Sequence, residues 1–285
     1  MSTQGRFEFG ANWRRFLTKL DEQRIREAEE SLQKMLSVDR LDGLSMLDIG
    51  SGSGLFSLAA MRLGASRLHS FDFDPDSVAC TEELRSRFFA GSEGWTVERG
   101  DATDPAYMAR LGKFDLVYSW GVLHHTGQMW RAVDLACSAV GERGTLFIAL
   151  YNDNGFVSRI WLHVKRLYST GPRFLRPLIF VFAGIPLVLK TLLLRLIEGD
   201  LGGFVRMWSH TGGRGMSAWN DLFDWIGGYP FEVARPDETF SFCEPRGFRL
   251  RALRTTTGDA LNEYVFDRES GPTVPPDTAA DAGSS

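Results

Sequence analysis

From residue 45 onward the chain alternates two hydrophobic rhythms. Short apolar runs, Met46–Ile49, Leu68–Phe71, Trp95–Arg99, Phe114–Ser119 and Gly144–Leu150, have the length and composition of strands. Between them apolar residues recur at helical spacing, as in Leu55–Leu63, where Leu55, Leu58, Ala59 and Met61 precede a stop at Gly64, and from Ser77 through Leu84 to Phe88. Such alternation predicts a parallel, doubly wound α/β sheet, with ligands at the carboxyl ends of its strands. Residues 1–40 form a helical lead-in, marked by Leu17, Leu20, Ile25, Ala28, Leu32 and Leu36. Phe9 and Trp13 in that lead-in have two readings: packing on the core, or lying over the ligand pocket.

Composition narrows the classes of function. At 285 residues the chain is long for one minimal α/β domain and short for two. A net charge of −4 gives no basic footprint for nucleic acid and favours small molecules as partners. Cys80, Cys137 and Cys243 are odd in number and lie far apart, with no metal-ligand spacing, so no metal is expected and a reducing cytoplasm fits. Residues 1–20 lack the apolar core of a signal peptide.

The chemistry starts at Met46-Leu47-Asp48-Ile49-Gly50-Ser51-Gly52-Ser53-Gly54, a strand that ends in an acid and then three alternate glycines. Glycine permits a sharp turn that brings backbone N–H groups near a ligand. The spacing is neither G-x-G-x-x-G nor that of a P-loop, which needs a following Lys. Asp72 ends the second strand 22 residues after Gly50, the place for an acid that accepts hydrogen bonds from ribose hydroxyls. Asp74 or Asp76 suits a helix cap instead. Gly100-Asp101-Ala102 closes the third strand, and Trp120-Gly121-Val122-Leu123-His124-His125 follows the core of the fourth.

The D-x-G-x-G-x-G pattern resembles the first motif of the class I S-adenosylmethionine methyltransferases. The segment from Phe114 to His125 resembles the F-D-x-V-x-x-x-x-x-L-H-H phrase of their small-molecule members. The resemblance covers roughly residues 46–150. It implies S-adenosyl-L-methionine as cofactor, held by Asp48, Gly50, Ser51, Gly52, Gly54, Asp72, Phe73, Asp101, Ala102, Ser119 and Trp120, with Asp72 at the ribose and Asp101 at the adenine amino group. It also implies a seven-stranded, mostly parallel, Rossmann-like sheet whose last two strands, here Arg249–Thr256 and Asn262–Phe266, form a C-terminal antiparallel hairpin.

On that basis residues 41–151 are the cofactor-binding core, 152–240 an inserted helical and aromatic substrate cap, 241–268 the closing strands and 269–285 a disordered tail. Within the insertion, residues 177–189 are apolar before Lys190 interrupts, short of the roughly 20 residues that a span needs. A span there would also separate the closing strands from the sheet they must join. The segment is expected to be a lid helix packed on the protein. The alternative is a helix in a membrane interface, supported by Arg159, Lys165, Arg166, Arg173 and Arg176, which would give peripheral contact through residues 159–197 at the inner face of the membrane.

The sulfonium of the cofactor needs no acid catalysis, so the protein's task is to hold an acceptor in line in a dry pocket. A hydroxyl acceptor would profit from a base titrating near pH 6–7. His125, His210 and His124 are the candidates, while His69 and His163 are expected to be structural. The expected function is methyl transfer to a heteroatom of a small or lipid-like molecule. The alternatives are methylation of a protein or RNA, or a non-catalytic scaffold that keeps the fold.

Overall fold

The computed structural model describes residues 10–18, 20–200, 202, 203, 222, 225–258 and 260–269. Its seven strands are β1 (Ser45–Ile49), β2 (Arg67–Asp72), β3 (Trp95–Arg99), β4 (Phe114–Trp120), β5 (Val140–Tyr151), β6 (Phe248–Arg254) and β7 (Leu261–Arg268), in the order β3-β2-β1-β4-β5-β7-β6. The first five pair in parallel, β7 runs antiparallel to β5, and β6 antiparallel to β7. This is the predicted mostly parallel sheet with its terminal hairpin. The fifth strand begins at Val140 rather than near Gly144, because an irregularity in its pairing with β4 carries it back to Phe114.

Alternation along β1 divides the core in two. Leu47 and Ile49 face a layer built with Met108, Ala132, Val133 and Ala136 of α5 (Pro105–Leu111) and α6 (Met129–Ala139). Met46 joins the opposite layer, with Ile25 and Leu32 of α2 (Glu22–Leu36), Leu58 of α3 (Leu55–Arg62) and Leu84 of α4 (Pro75–Phe88). Asp48 shares Met46's face by the period of two.

Two Asp-Pro pairs start helices at strand ends. Asp74 caps α4 by accepting from the Asp76 amide at 2.9 Å, and Asp104 does the same for α5 from Ala106 at 2.9 Å. Proline at the first helical position costs no intrahelical bond, since that N–H has no partner there. The short α1 (Gly10–Leu17) lies against α4, with Arg14 paired to Asp76.

After β5 come α7 (Phe156–Thr170) and a long helix over Arg173–Ile197, which contains α8 (Arg176–Ile179), a π turn at Phe180–Gly184 and α9 (Ile185–Ile197). The π turn stands just before Pro186, which has no amide to return to the preceding turn. The long helix departs from expectation. Little of it is packed on the protein: 6% of its apolar window is buried, and Gly184 is its buried residue among those described. A side chain carbon at Gly184 would meet Ile226 at 3.4 Å and Leu222 at 3.6 Å, so the chain after the helix returns to its midpoint. Helix α10 (Pro236–Cys243) then leads into β6.

Candidate functional site

The three glycines between β1 and α3 all adopt positive φ, 78° at Gly50, 55° at Gly52 and 80° at Gly54, which only glycine takes at little cost. Their amides, however, face inward. Gly50 and Ser51 donate to the Phe71 carbonyl at 2.8 and 3.1 Å, Gly54 to the Ser51 carbonyl at 2.8 Å, and Gly52 to the Asp72 carboxylate at 3.0 Å. The turn is therefore not an anion nest, contrary to the expectation that it offers N–H groups to a ligand. It works by close approach. A Cβ at Gly50 would lie 2.4 Å from Val122, one at Gly54 2.8 Å from the Thr81 backbone, and one at Gly52 3.1 Å from the Trp13 ring. Trp13 thus lies over the turn while also packing against the core beside Phe16, so the two expected placements coincide; Phe9 lies outside the described residues.

Asp72 joins the turn to the end of β2. One carboxylate oxygen accepts from Gly52, and the other from the Asp74 amide at 2.9 Å. Burial, opposed by these bonds, raises its pKa to about 6. The Phe73 amide bonds to it as well, yet a carboxylate offers about four lone-pair positions and can still accept from a hydroxyl donor, which would offset its desolvation. Asp101 accepts from the Thr103 amide at 2.8 Å and hydroxyl at 2.7 Å, both on Oδ1, which leaves Oδ2 for an amino donor. A ribose and an adenine both fit this donor and acceptor set. Phe73 lies under the Arg99 guanidinium, and Ala102 is buried beside Asp101.

Asp48 has a different place. It is buried beneath the turn, where it accepts from Ser57 at 2.5 Å; Ser57 meets Ser70 at 2.7 Å, and Ser70 meets the Trp95 indole at 2.9 Å. Burial raises its pKa to about 7, with the charge of Asp72 adding to the effect. Its contacts hold β1, α3 and β2 together. Ser51 is tied to Thr81 at 2.9 Å, Ser119 to the Ile49 carbonyl at 3.0 Å and Trp120 to Glu263 at 2.9 Å, so these three fix the rim of the site.

Beyond β4 the His124-His125 pair forms a short 3-10 turn against the end of β5. His125 Nδ1 donates to the Pro230 carbonyl at 2.6 Å, which assigns the basic lone pair to Nε2. Burial, helped by the charge of Lys165, lowers its pKa to about 3, so the ring is neutral and a weak base. This corrects the expectation of a base titrating near 6–7. His124 is fully buried, its ring centre 4.0 Å from that of Tyr151 and tilted by 41°; its Nδ1 accepts from the Tyr151 amide at 3.4 Å, and its Nε2 has no partner among the described residues. His210 lies outside the described residues. His69 pairs with Glu98, while His163 is exposed on α7.

The aromatic cap expected in the insertion contributes Trp225 to a wall beside these histidines, but the place of Lys165 in that wall was missed. Lys165 is buried, not part of the basic surface. Its Nζ lies 4.1 Å from the Trp225 ring centre and 4.8 Å from that of Phe231, with Tyr151 and Trp161 at 6.0 Å, and it donates to the Trp225 carbonyl. Every fourth side chain of an amphipathic helix can point inward, but the partners of Lys165 are 60 residues downstream. No group of three or more metal-ligating side chains occurs among the described residues.

A model of the methyltransferase domain matches residues 20–177. A ubiquinone biosynthesis O-methyltransferase of Methylobacterium sp. (strain 4-46) is 32% identical over 117 residues, 41% of this chain and 45% of that protein. A ribosomal protein L11 methyltransferase of Geotalea uraniireducens (strain Rf4) is 49% identical over 43 residues, 15% of this chain and 14% of that protein. The chain thus spans less than half the length of these curated relatives. Magnesium protoporphyrin IX methyltransferase from Synechocystis PCC 6803, solved with bound SAH, shares the fold at a TM-score of 0.52 and 14% identity, covering 91% of this chain and 94% of that one. The chain belongs to the methyltransferase domain family, the class I, S-adenosylmethionine-dependent enzymes.

Proposed function

We propose that the chain transfers a methyl group from S-adenosylmethionine to a heteroatom, oxygen first among them, of a small or lipid-like acceptor. The observation that carries this reading is the Asp72 carboxylate, held by the Gly52 and Asp74 amides at the mouth of the glycine turn. From there it can accept the ribose hydroxyls, with Asp101 free on Oδ2 for the adenine amino group and Trp13 covering the turn. The cofactor supplies a methyl group already activated on sulfur. The chain's own residues need only orient the acceptor and exclude water.

The acceptor side is the wall of Tyr151, Trp161, Trp225 and Phe231 around Lys165. Its rings suit an apolar or aromatic scaffold. The buried ammonium beside the neutral His125 favours an acceptor that loses a proton, since a positive charge nearby stabilises an oxyanion. His125 then acts as a hydrogen-bonding and orienting group more than as a strong base. The ubiquinone biosynthesis relative, an O-methyltransferase by name, supports oxygen and a lipid-like acceptor. Incubation with methyl-labelled S-adenosylmethionine and separate aqueous and organic fractions of host extract tests the proposal. Label is expected in a low-molecular-weight product of the organic fraction. Label confined to protein or RNA would overturn the acceptor class.

A further inference from the structure

The exposed helices after β5 form a surface of unusual chemistry. Phe174, Leu178, Val181, Phe182, Ile185 and Leu189 stand at successive helical turns of the Arg173–Ile197 helix, with Phe174 73% and Phe182 76% exposed. These spacings, four, seven, eight, eleven and fifteen residues from Phe174, put them on one face. Helix α7 adds a second exposed stripe through Phe156, Ile160 and Leu167. Water-facing stripes of this size mark a binding surface rather than ordinary surface variation.

Charge identifies the occupant. Residues 156–197 hold seven Lys and Arg and no Asp or Glu, in a chain whose net charge is −4. One of the seven, Lys165, is buried; Arg159, Arg166, Arg173 and Lys190 are exposed. We propose that α7 and the Arg173–Ile197 helix lie in the headgroup region of an anionic lipid bilayer, with the apolar stripes inserted and the exposed basic side chains at the phosphates. Apolar stripe and basic flanks are the combination that binds such a surface.

The helix is long and apolar enough to cross a bilayer, with a mean hydropathy of 2.2 over its best window. The fold argues against crossing. Leu222 and Ile226 pack at Gly184, the middle of the helix, and Ser169 of α7 donates to the Gly227 carbonyl at 2.8 Å. Soluble parts of the domain therefore touch the helix at the level that a span would place in hydrocarbon. The docking surface goes beyond the assignment of methyl transfer, and it places the acceptor wall, which α7 shares through Trp161 and Lys165, beside the lipid.

The test is co-sedimentation of the full chain with vesicles of equal parts phosphatidylglycerol and phosphatidylcholine, and with pure phosphatidylcholine vesicles. Binding is expected to the anionic vesicles and to fall steeply with salt. Each surface Arg near an anionic bilayer accounts for about fivefold in partitioning. The triple variant Arg159→Ala/Arg166→Ala/Arg173→Ala should therefore lose on the order of a hundredfold, while its S-adenosylmethionine affinity stays unchanged. Phe174→Ser/Phe182→Ser should also release the protein, with the same unchanged affinity as proof of folding. Three results would overturn the proposal: no binding to either vesicle by the folded wild type, a concentration-independent dimer that covers the stripe, or resistance to alkaline extraction from membranes, which marks a span.

Discussion

Removal of the Asp72 carboxylate is the sharpest perturbation of the cofactor site. In Asp72→Ala two ribose hydroxyls lose a charged acceptor, and charge-assisted hydrogen bonds contribute about 1.5–3 kcal/mol each before the remaining water contacts compensate. A net loss of about 2–4 kcal/mol follows, or roughly 30- to 1,000-fold in Kd. The variant also leaves the Gly52 and Asp74 amides without their partner, so its thermal midpoint must be measured alongside. Asp72→Asn, which keeps one acceptor oxygen, should fall between the two. pH gives an independent readout. The free carboxylate has its pKa raised to about 6, and the ribose donors favour its ionised form. Wild-type affinity should hold above pH 6 and decline as the pH falls through it, and Asp72→Ala should lack that decline. Calorimetric titration with S-adenosylhomocysteine reads both effects; a folded Asp72→Ala with wild-type affinity would refute the reasoning.

Other substitutions probe the surroundings. Gly52→Val places its side chain 3.1 Å or closer to the Trp13 ring at a φ of 55°, so ligand binding should be lost while circular dichroism still shows the sheet. Asp48 has its folded pKa raised to about 7 against roughly 3.9 unfolded, so ionisation destabilises the folded chain as pH rises from about 4 to 7. The thermal midpoint of Asp48→Asn should gain on wild type across that window and level off above it, whereas a pH-independent difference would mean that Asp48 does not titrate there. With the His125 pKa lowered to about 3, the imidazole is neutral throughout pH 5–8; kcat should show no step near 6.5, and His125→Ala should slow turnover without weakening the cofactor. A step near 6.5 that disappears in His125→Ala would restore the general-base reading.

What could be read from the sequence was local. The strand, the glycines, Asp72 and the Asp74-Pro75 cap sit within 30 residues of one another, and each follows from backbone conformation or period. The inward direction of the turn's amides was not legible, because the Phe71 carbonyl that receives two of them belongs to the next strand. Asp48's role was half legible: alternation along β1 sets it on the face of α3, where Ser57 meets it, away from a ligand above the turn. Lys165 and Arg166 are neighbours in a basic helix, yet one is buried and the other exposed. Of the rings that enclose Lys165 only Trp161, one turn earlier, is local; the nearest two, Trp225 and Phe231, come from far along the chain. The exposure of the Arg173–Ile197 helix was similarly hidden. Its apolar pattern suits a packed lid as well as an exposed helix, and only the tertiary structure shows that it is exposed.

The central claim is that the glycine turn between β1 and α3, with Asp72 at the end of β2, holds S-adenosylmethionine. Direct calorimetric titration of the wild-type chain with S-adenosylmethionine, and separately with S-adenosylhomocysteine, tests it without knowledge of the acceptor. The account predicts one site per chain for each, with Kd on the order of micromolar and a matching rise in thermal midpoint. Absence of both heat and thermal shift up to about 1 mM of either compound, in protein shown to be folded, would contradict it.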